Sequence, residues 1–283
     1  MIDFITPEAV RLLEHVHVNL PWEMFDRFRD LVVERRIHVE IGFSAVDLDG
    51  VSRRRLEEAS ALLANAGCRT ILHAPFWELC PGSSDPLIRQ VTLLRLHQFL
   101  DVAAVLQPMQ VVCHTGYDPR HHEGMKARWI ERCLPVWEAL ADRAGRIGVR
   151  ILLENVWEPE PSLHRELLSR LPSEYLGFCL DVGHQHCFSE APLDAWLEAL
   201  SSRLGELHLH DNDGRRDAHL PVGWGTVDFG TLFKFLSERR ITPLLTLEPH
   251  REDHLWESLE GLSRVIGEGF GGAGRAGTGG FRR

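Results

Sequence analysis

Apolar residues recur along this chain in two alternating registers. Short β-rich runs cover residues 15–20 (HVHVNL), 37–43 (IHVEIGF), 69–73 (RTILH), 110–114 (QVVCH), 149–154 (VRILLE), 176–181 (LGFCLD), 206–210 (ELHLH) and 244–248 (LLTLE). Between them apolar positions return every three or four residues, as in Leu93, Leu94, Leu96, Phe99, Leu100 and Ala103. That spacing predicts amphipathic helices over 22–35, 52–66, 86–106, 126–146, 162–171, 191–203, 228–239 and 253–266. Helix starts are marked by Asp85-Pro86, by Ser162 and by Pro192, and helix ends by Gly67, Gly145 and Gly148. Strand–helix units repeated in this way predict one α/β domain, a (β/α)8 barrel, over residues 1–266. An open doubly wound sheet is the alternative. It normally carries a Gly-rich turn after its first strand, and Asn19-Leu20-Pro21-Trp22 is not one. No linker or second domain interrupts the pattern. Residues 267–283 (GEGFGGAGRAGTGGFRR), nearly half glycine, read as a flexible C-terminal tail.

Composition narrows the function classes. The 283 residues are 44% hydrophobic and 25% charged, an ordinary soluble balance, and the formal net charge is -10. That charge leaves no overall electrostatic footprint for nucleic acid. The start MIDFITPEAV lacks a basic segment followed by an apolar run, so no secretory signal is expected. No stretch approaches the roughly 18 apolar residues of a membrane span. The six cysteines (Cys68, Cys80, Cys113, Cys133, Cys179, Cys187) form no C-x-x-C pair, and Cys113 and Cys179 sit inside apolar strands. They read as reduced thiols of a cytoplasmic protein.

The chemistry lies at the strand ends. Strand three ends in His73, four in His114, five in Glu154, six in Asp181, seven in His208 and eight in Glu248. A parallel barrel gathers these ends on one face, where its active sites sit. Side-chain alternation agrees: with Glu154 inward, Leu152 fills the barrel while Ile151 and Leu153 face helices, and Leu244 and Thr246 share the inner side with Glu248. Buried unpaired charges cost several kcal/mol each. A divalent cation offsets that cost and predicts a metal centre here. Loops six and seven add His184, Asp217 and His219, while His38 and Glu40 share the inward parity on strand two and line the cavity floor. His121, His122, His164, His186, His250 and His254 have no comparable partners and read as surface or supporting residues.

These residues resemble a known superfamily, the xylose-isomerase-like barrels, which include sugar and sugar-phosphate isomerases and epimerases and the abasic-site nuclease endonuclease IV. The resemblance runs from EIGF (40–43) to LEPH (247–250) and takes in HAPF (73–76), PGSSDP (81–86), CHTGYDP (113–119), LLENV (152–156), LDVGH (180–184), HLHDNDG (208–214) and DAHLPVGWGTVDF (217–229). It is nearest to the sugar-phosphate isomerase branch. In epimerases of that superfamily one Mn, Mg, Co or Zn ion is held by a Glu, an Asp, a His and a second Glu, which match Glu154, Asp181, His208 and Glu248. In endonuclease IV three zinc ions use those positions and five more, which match His73, His114, His184, Asp217 and His219. Trp224 stands where many relatives carry a Glu between glycines.

The resemblance and the residues together predict a metal-dependent sugar or sugar-phosphate isomerase or epimerase holding one to three divalent ions (Zn, Mn, Mg or Co). Moving a proton between neighbouring sugar carbons needs a metal for the enediolate oxygens and carboxylates to take and return the proton. Glu154 and Glu248 are the expected catalytic pair. His184, Trp77, Trp157, Trp224, Arg120 and Arg215 are expected to touch substrate, with Phe76 and Phe188 adding to an aromatic wall. A zinc-dependent abasic-site nuclease is the alternative. Its rim should be basic, whereas Asp47, Asp49, Glu78, Asp85, Glu158 and Glu160 crowd the loops, against Arg120, Arg215, Arg216 and Arg251. A non-catalytic binding barrel is the third reading. The sequence leaves open the sugar, the stereocentre, its phosphorylation and the oligomeric state.

Overall fold

The computed structural model describes residues 5–122 and 124–270. Eight strands form a closed parallel barrel in sequential order: β1 (Val16–Pro21), β2 (His38–Gly42), β3 (Thr70–His73), β4 (Val111–His114), β5 (Ile151–Glu154), β6 (Leu176–Asp181), β7 (Leu204–Leu209) and β8 (Leu244–Leu247). This is the single-domain TIM barrel expected from the pattern. Closure requires β1 to pair with β8, and it does, with His17 opposite Thr246.

The long helices fall where three- and four-residue spacing places them: α2 (Phe25–Arg35), α4 (Arg53–Ala66), α5 (Pro86–Leu106), α7 (Lys126–Ile147), α8 (Ser162–Arg170), α10 (Leu193–Leu200), α11 (Phe229–Arg239) and α12 (Glu252–Phe270). Local chemistry sets their ends. Ser52, Asp85 and Asp228 cap α4, α5 and α11 by accepting backbone N–H bonds. Gly67 and Gly148 close α4 and α7 at φ 74° and 72°, a conformation that needs no Cβ. Gly145, expected to share in ending α7, instead lies inside it against the Tyr175 ring.

Several boundaries differ from expectation. The helix expected over 191–203 stops at Leu200 and tightens into a 3-10 turn, Ser201–Arg203. Strand β7 begins at Leu204, ahead of 206, and His210 and Glu248 stand just beyond their strands. Helix α12 runs to Phe270, past 266, because glycine weakens a helix without breaking it. The rest of the expected tail lies outside the described residues. Four short helices carry no periodic signal: α1 (Pro7–Arg11), α3 (Ala45–Gly50), α6 (Pro119–His122) and α9 (Val182–Phe188).

Inside the barrel Ile71, Val112, Leu152 and Cys179 form a small apolar plug. A polar layer shares this interior. Glu206 is fully buried and accepts from Gln110 Nε2 (2.7 Å) and Thr246 Oγ1 (2.5 Å). Burial and the adjacent Glu40 carboxylate push its carboxyl well above the ordinary range, so the proton stays on. His17 is also fully buried, and burial brings its imidazole down to about 3. All six thiols are free. Among the described residues no helix is long and apolar enough to cross a membrane.

A close contact ties the helical shell to the C-terminal mouth of the barrel. Gly261 of α12 lies against the loop after β7 so closely that a methyl group there would overlap the Val222 carbonyl. Gly261→Ala should therefore lower stability by about 2 kcal/mol through overpacking. Gly50→Ala, where nothing lies within 4 Å, should not. Denaturant midpoints of both variants test this.

Candidate functional site

The inward strand ends converge on Glu154. Its side chain is 1% exposed and touches four imidazoles. Oε2 meets His73 Nε2 and His114 Nε2, each at 3.0 Å. Oε1 meets His184 Nδ1 at 3.3 Å and His208 Nδ1 at 3.4 Å. Three strands and the helix after β6 thus supply imidazoles to one carboxylate. That helix, α9, exists because Asp181, the last residue of β6, caps it: Asp181 Oδ1 accepts the His184 N–H at 2.6 Å. The cap turns the chain so that His184 faces back over the barrel mouth. Asn155 locks the same corner by exchanging two bonds with the Asp181 backbone, both 2.9 Å.

The loop after β7 brings in the remaining donors. Asp211 and Leu220 form an antiparallel bridge that folds the loop back on itself. The Asp211 carboxylate accepts from the N–H groups of Asn212, Gly223 and Val227 at 2.8–3.0 Å, which fixes the return path. Between these anchors Asp217 and His219 reach the mouth, with Asp217 Oδ2 at 3.1 Å from His219 Nε2 and 3.4 Å from His184 Nε2. Glu248, just past β8, lies 3.2 Å from His208 Nδ1.

All nine donors singled out in the sequence are therefore brought together. They fall into overlapping groups whose ligand-type atoms lie within 4.8 Å of one another: His73, His114 and Glu154; Glu154, Asp181 and His208; Asp181, His210 and Glu248; His184, His210, Asp217 and His219; and, with Glu40, His73 and His208. His210 is not one of the nine. It is 1% exposed, its Nε2 contacts Asp181 Oδ1 at 3.0 Å, and its ring stacks on His219 at 3.8 Å. The available signal is the alternation in HLH, which gives His210 the parity of His208. Gly183 makes room for it, since a methyl group at Gly183 would overlap the His210 ring. His164 supports the site from outside the barrel. It is fully buried and its Nε2 donates to the Glu154 carbonyl at 3.1 Å. His250 stacks on His219 at 3.8 Å.

The residues expected to face substrate lie at different removes from this centre. Phe76 stacks on His114 at 4.3 Å, and Trp77, 77% exposed, lies beside Phe76. Trp157 packs on Phe188 at 4.3 Å, and the Arg120 guanidinium lies over Trp157 at 4.3 Å, clamped by Asp118. Trp224 is exposed near His254. Arg215 is exposed in the loop after β7, outside the donor groups.

Electrostatics show why a cation fits. Burial drives the Glu154 carboxyl up, but the imidazoles of His114 and His208 outweigh it and hold it well below the ordinary carboxylate range. Asp217 is lowered in the same way, against burial, by His184 and His219. Burial opposes protonation of His208, yet the Glu40, Glu248 and Glu154 carboxylates raise it well above the imidazole range. His184 is raised likewise, by Asp181, Asp217 and Glu154. Protons on imidazoles thus balance the carboxylates. Two buried nitrogens, Nδ1 of His208 and Nδ1 of His210, still find no hydrogen-bond partner. Both face carboxylates: Glu248 and Glu154 for His208, and Asp217 Oδ1 at 3.6 Å for His210. Imidazole nitrogens turned toward carboxylate oxygens are what a divalent cation binds.

Comparison with known proteins adds the following. A family model described as "Xylose isomerase-like TIM barrel" matches residues 36–265. The uncharacterized protein MJ1311 of Methanocaldococcus jannaschii is 26% identical over 185 residues, 63% of each chain, so the alignment spans just under two thirds of that relative. The TTHB071 protein of Thermus thermophilus, solved after soaking with ZnCl2, is 28% identical with a TM-score of 0.73, covering 93% of this chain and 100% of that one. A D-tagatose 3-epimerase-like protein has a TM-score of 0.78 at 20% identity, covering 92% and 100%. Further structures of this fold, at 14% and 15% identity, are a D-psicose 3-epimerase and an L-ribulose 3-epimerase.

The raised imidazoles set the sign of a pH effect. A metal ion needs the neutral ring, so at neutral pH binding must displace the protons held on His184 and His208. Zinc or manganese binding should release protons and tighten as pH rises toward the raised imidazole range. Calorimetry in buffers of different ionisation enthalpy measures this, and binding with no net proton release would contradict it.

Proposed function

The chain belongs to the xylose isomerase-like TIM barrel family, and from that premise we propose that it is a metal-dependent isomerase or epimerase of a small sugar or sugar phosphate. The observation that carries this reading is the approach of Glu154 and Glu248 to one point. Their Oε1 atoms lie 3.4 Å and 3.2 Å from His208 Nδ1, and they come from β5 and the end of β8, with β6 and β7 between them. The sugar 3-epimerases among the fold neighbours support the reaction class.

Glu154, Asp181, His208 and Glu248 would hold the ion. A divalent cation there supplies Lewis-acid polarisation of the sugar's carbonyl and hydroxyl oxygens. The chain's own residues do the rest. Two carboxyl groups flanking the substrate allow one, ionised, to take a proton from a carbon beside the carbonyl and the other, protonated, to give its own proton to the opposite face. Glu248 has a side chain 11% exposed, while Glu154, 1% exposed, lies deeper among the imidazoles. Phe76, Trp157 and Phe188 form an apolar wall that limits water and packs against the C–H edges of a sugar. His184 would contact the substrate only through Nε2, the nitrogen it turns toward Asp217, since Nδ1 is held by the Asn155 carbonyl. The carboxylate-rich group suits Mg, Mn or Co, and the His184–His210–Asp217–His219 group suits Zn, which gives room for one to three ions.

The second reading, a zinc-dependent abasic-site nuclease, is favoured by the grouping of all nine donors. The rim weighs against it. Arg120 is bound to Asp118, Arg251 to Asp253 and Lys126 to Glu160, which leaves few free cations for phosphates.

Glu154→Gln and Glu248→Gln should each lower turnover by about two powers of ten or more, since the amide keeps the shape but neither accepts the proton nor carries the charge. Leu153→Ile, facing the helices, should barely matter. The metal-loaded protein should exchange solvent deuterium into a ketose or its phosphate. It should show no salt-sensitive binding to duplex DNA carrying an abasic-site analogue, since such binding needs phosphates to be neutralised. Metal-dependent cleavage of that DNA, with no exchange into a broad ketose panel, would establish the nuclease reading instead. Near-wild-type turnover in either Gln variant would remove that glutamate from the mechanism.

A further inference from the structure

Each imidazole of the centre must turn one nitrogen toward it and place the other's proton elsewhere. His73, His184 and His219 do this through Nδ1, against the backbone carbonyls of Ala74 (2.9 Å), Asn155 (3.1 Å) and Glu248 (3.3 Å). Those carbonyls lie beyond the strand ends, where they are free of the sheet. His208 has no such option. It sits within β7, paired with Asp181 of β6 on one side and Thr246 of β8 on the other, so the neighbouring main-chain groups are committed to the parallel ladder.

Its ring instead spans the barrel. Nε2 lies 3.2 Å from Glu40 Oε2, which comes from β2. Nδ1 is turned the other way, toward Glu248, Glu154 and Asp181 at 3.2, 3.4 and 3.8 Å. Glu40 is fully buried, and its other oxygen accepts from Asn19 Nδ2 at 3.4 Å. Among the described residues no Arg or Lys pairs with it. A carboxylate at that depth is costly without a partner; its partners are the imidazole N–H of His208, the Asn19 amide and the protonated carboxyl of Glu206.

We propose that Glu40 is a positioning residue: it accepts the Nε2–H of His208, fixes the ring's tautomer and rotation, and so presents Nδ1 to the ion. The inference rests on the metal-dependent reading above. A charged acceptor also makes the ring a stronger donor than a carbonyl would. His208 is thereby distinguished from His73, His184 and His219, which lean on neutral backbone.

The test measures ion affinity, not turnover. Zinc and manganese binding to the full chain is followed by competition with a chromogenic chelator. Glu40→Gln, which keeps an acceptor oxygen without charge, should weaken binding about 10-fold, and Glu40→Ala about 100-fold. Glu40→Asp, which retains the charge on a shorter arm, should recover part of the loss. Thr246→Val removes a bond from the neighbouring Glu206 and should lower the melting temperature without changing affinity. A merely structural Glu40 would behave like Thr246. Should the Glu40 variants fail to fold, side-chain 15N NMR of the zinc-loaded wild-type protein decides, with the His208 signals identified by their loss in His208→Asn. A proton on Nε2 with Nδ1 bound supports the assignment, and the reverse overturns it. Equal affinity in wild type and folded Glu40→Ala overturns the role of Glu40 alone. No ion uptake by the wild-type protein overturns the metal reading, and this inference with it.

Discussion

The site depends on one carboxylate, Glu154, packed at 3.0–3.4 Å against four imidazoles from four different segments of the chain. In a nearly dry environment each contact is far stronger than it would be in water. That is why burial fails to protonate Glu154 and why the imidazoles of His184 and His208 stay charged against their own burial, although burial lowers that of His114. Four segments that share one anion cannot drift apart independently. Closure of the sheet adds to this, since a barrel without an edge holds every strand end at a fixed distance from the axis.

The other carboxylates do separate jobs. Asp181 is at once the last strand residue, the cap of α9 and a partner of His210. Asp211 has no place among the donors, yet its carboxylate gathers three backbone N–H groups and so shapes the loop that carries Asp217 and His219. Glu206 is kept neutral below the site, where a second charge beside Glu40 would be intolerable. Similar side chains thus serve as hub, cap, loop anchor and neutral filler, and burial and neighbours decide which.

Much of this is legible in the sequence. Strand ends can be read because period-2 alternation fixes which side chain faces inward, and eight repeats leave one economical closure. The nine donors follow from that parity and from the motifs around them. What escapes has weak local signal. Helix α9 owes its existence to Asp181, which the pattern assigns to a strand. Helices α3 and α6 are too short to show a period. The buried polar layer of Gln110, Glu206 and Thr246 is half visible, as inward positions without a reason to be polar. His210 shares the parity of His208, but nothing in the alternation says that it reaches Asp181. That contact depends on the space at Gly183, a tertiary fact.

Gly183 and His210 therefore form one unit of inheritance, although they follow β6 and β7 separately. A chain that acquired a methyl group at the first position could not keep an imidazole at the second, and a chain that lost the imidazole would leave a void that a larger residue could fill. Drift at either site is conditional on the other. Across descendants of this barrel the two positions should change as a pair, so the state of the glycine after Asp-Val marks whether a lineage retains the imidazole-rich side of the mouth.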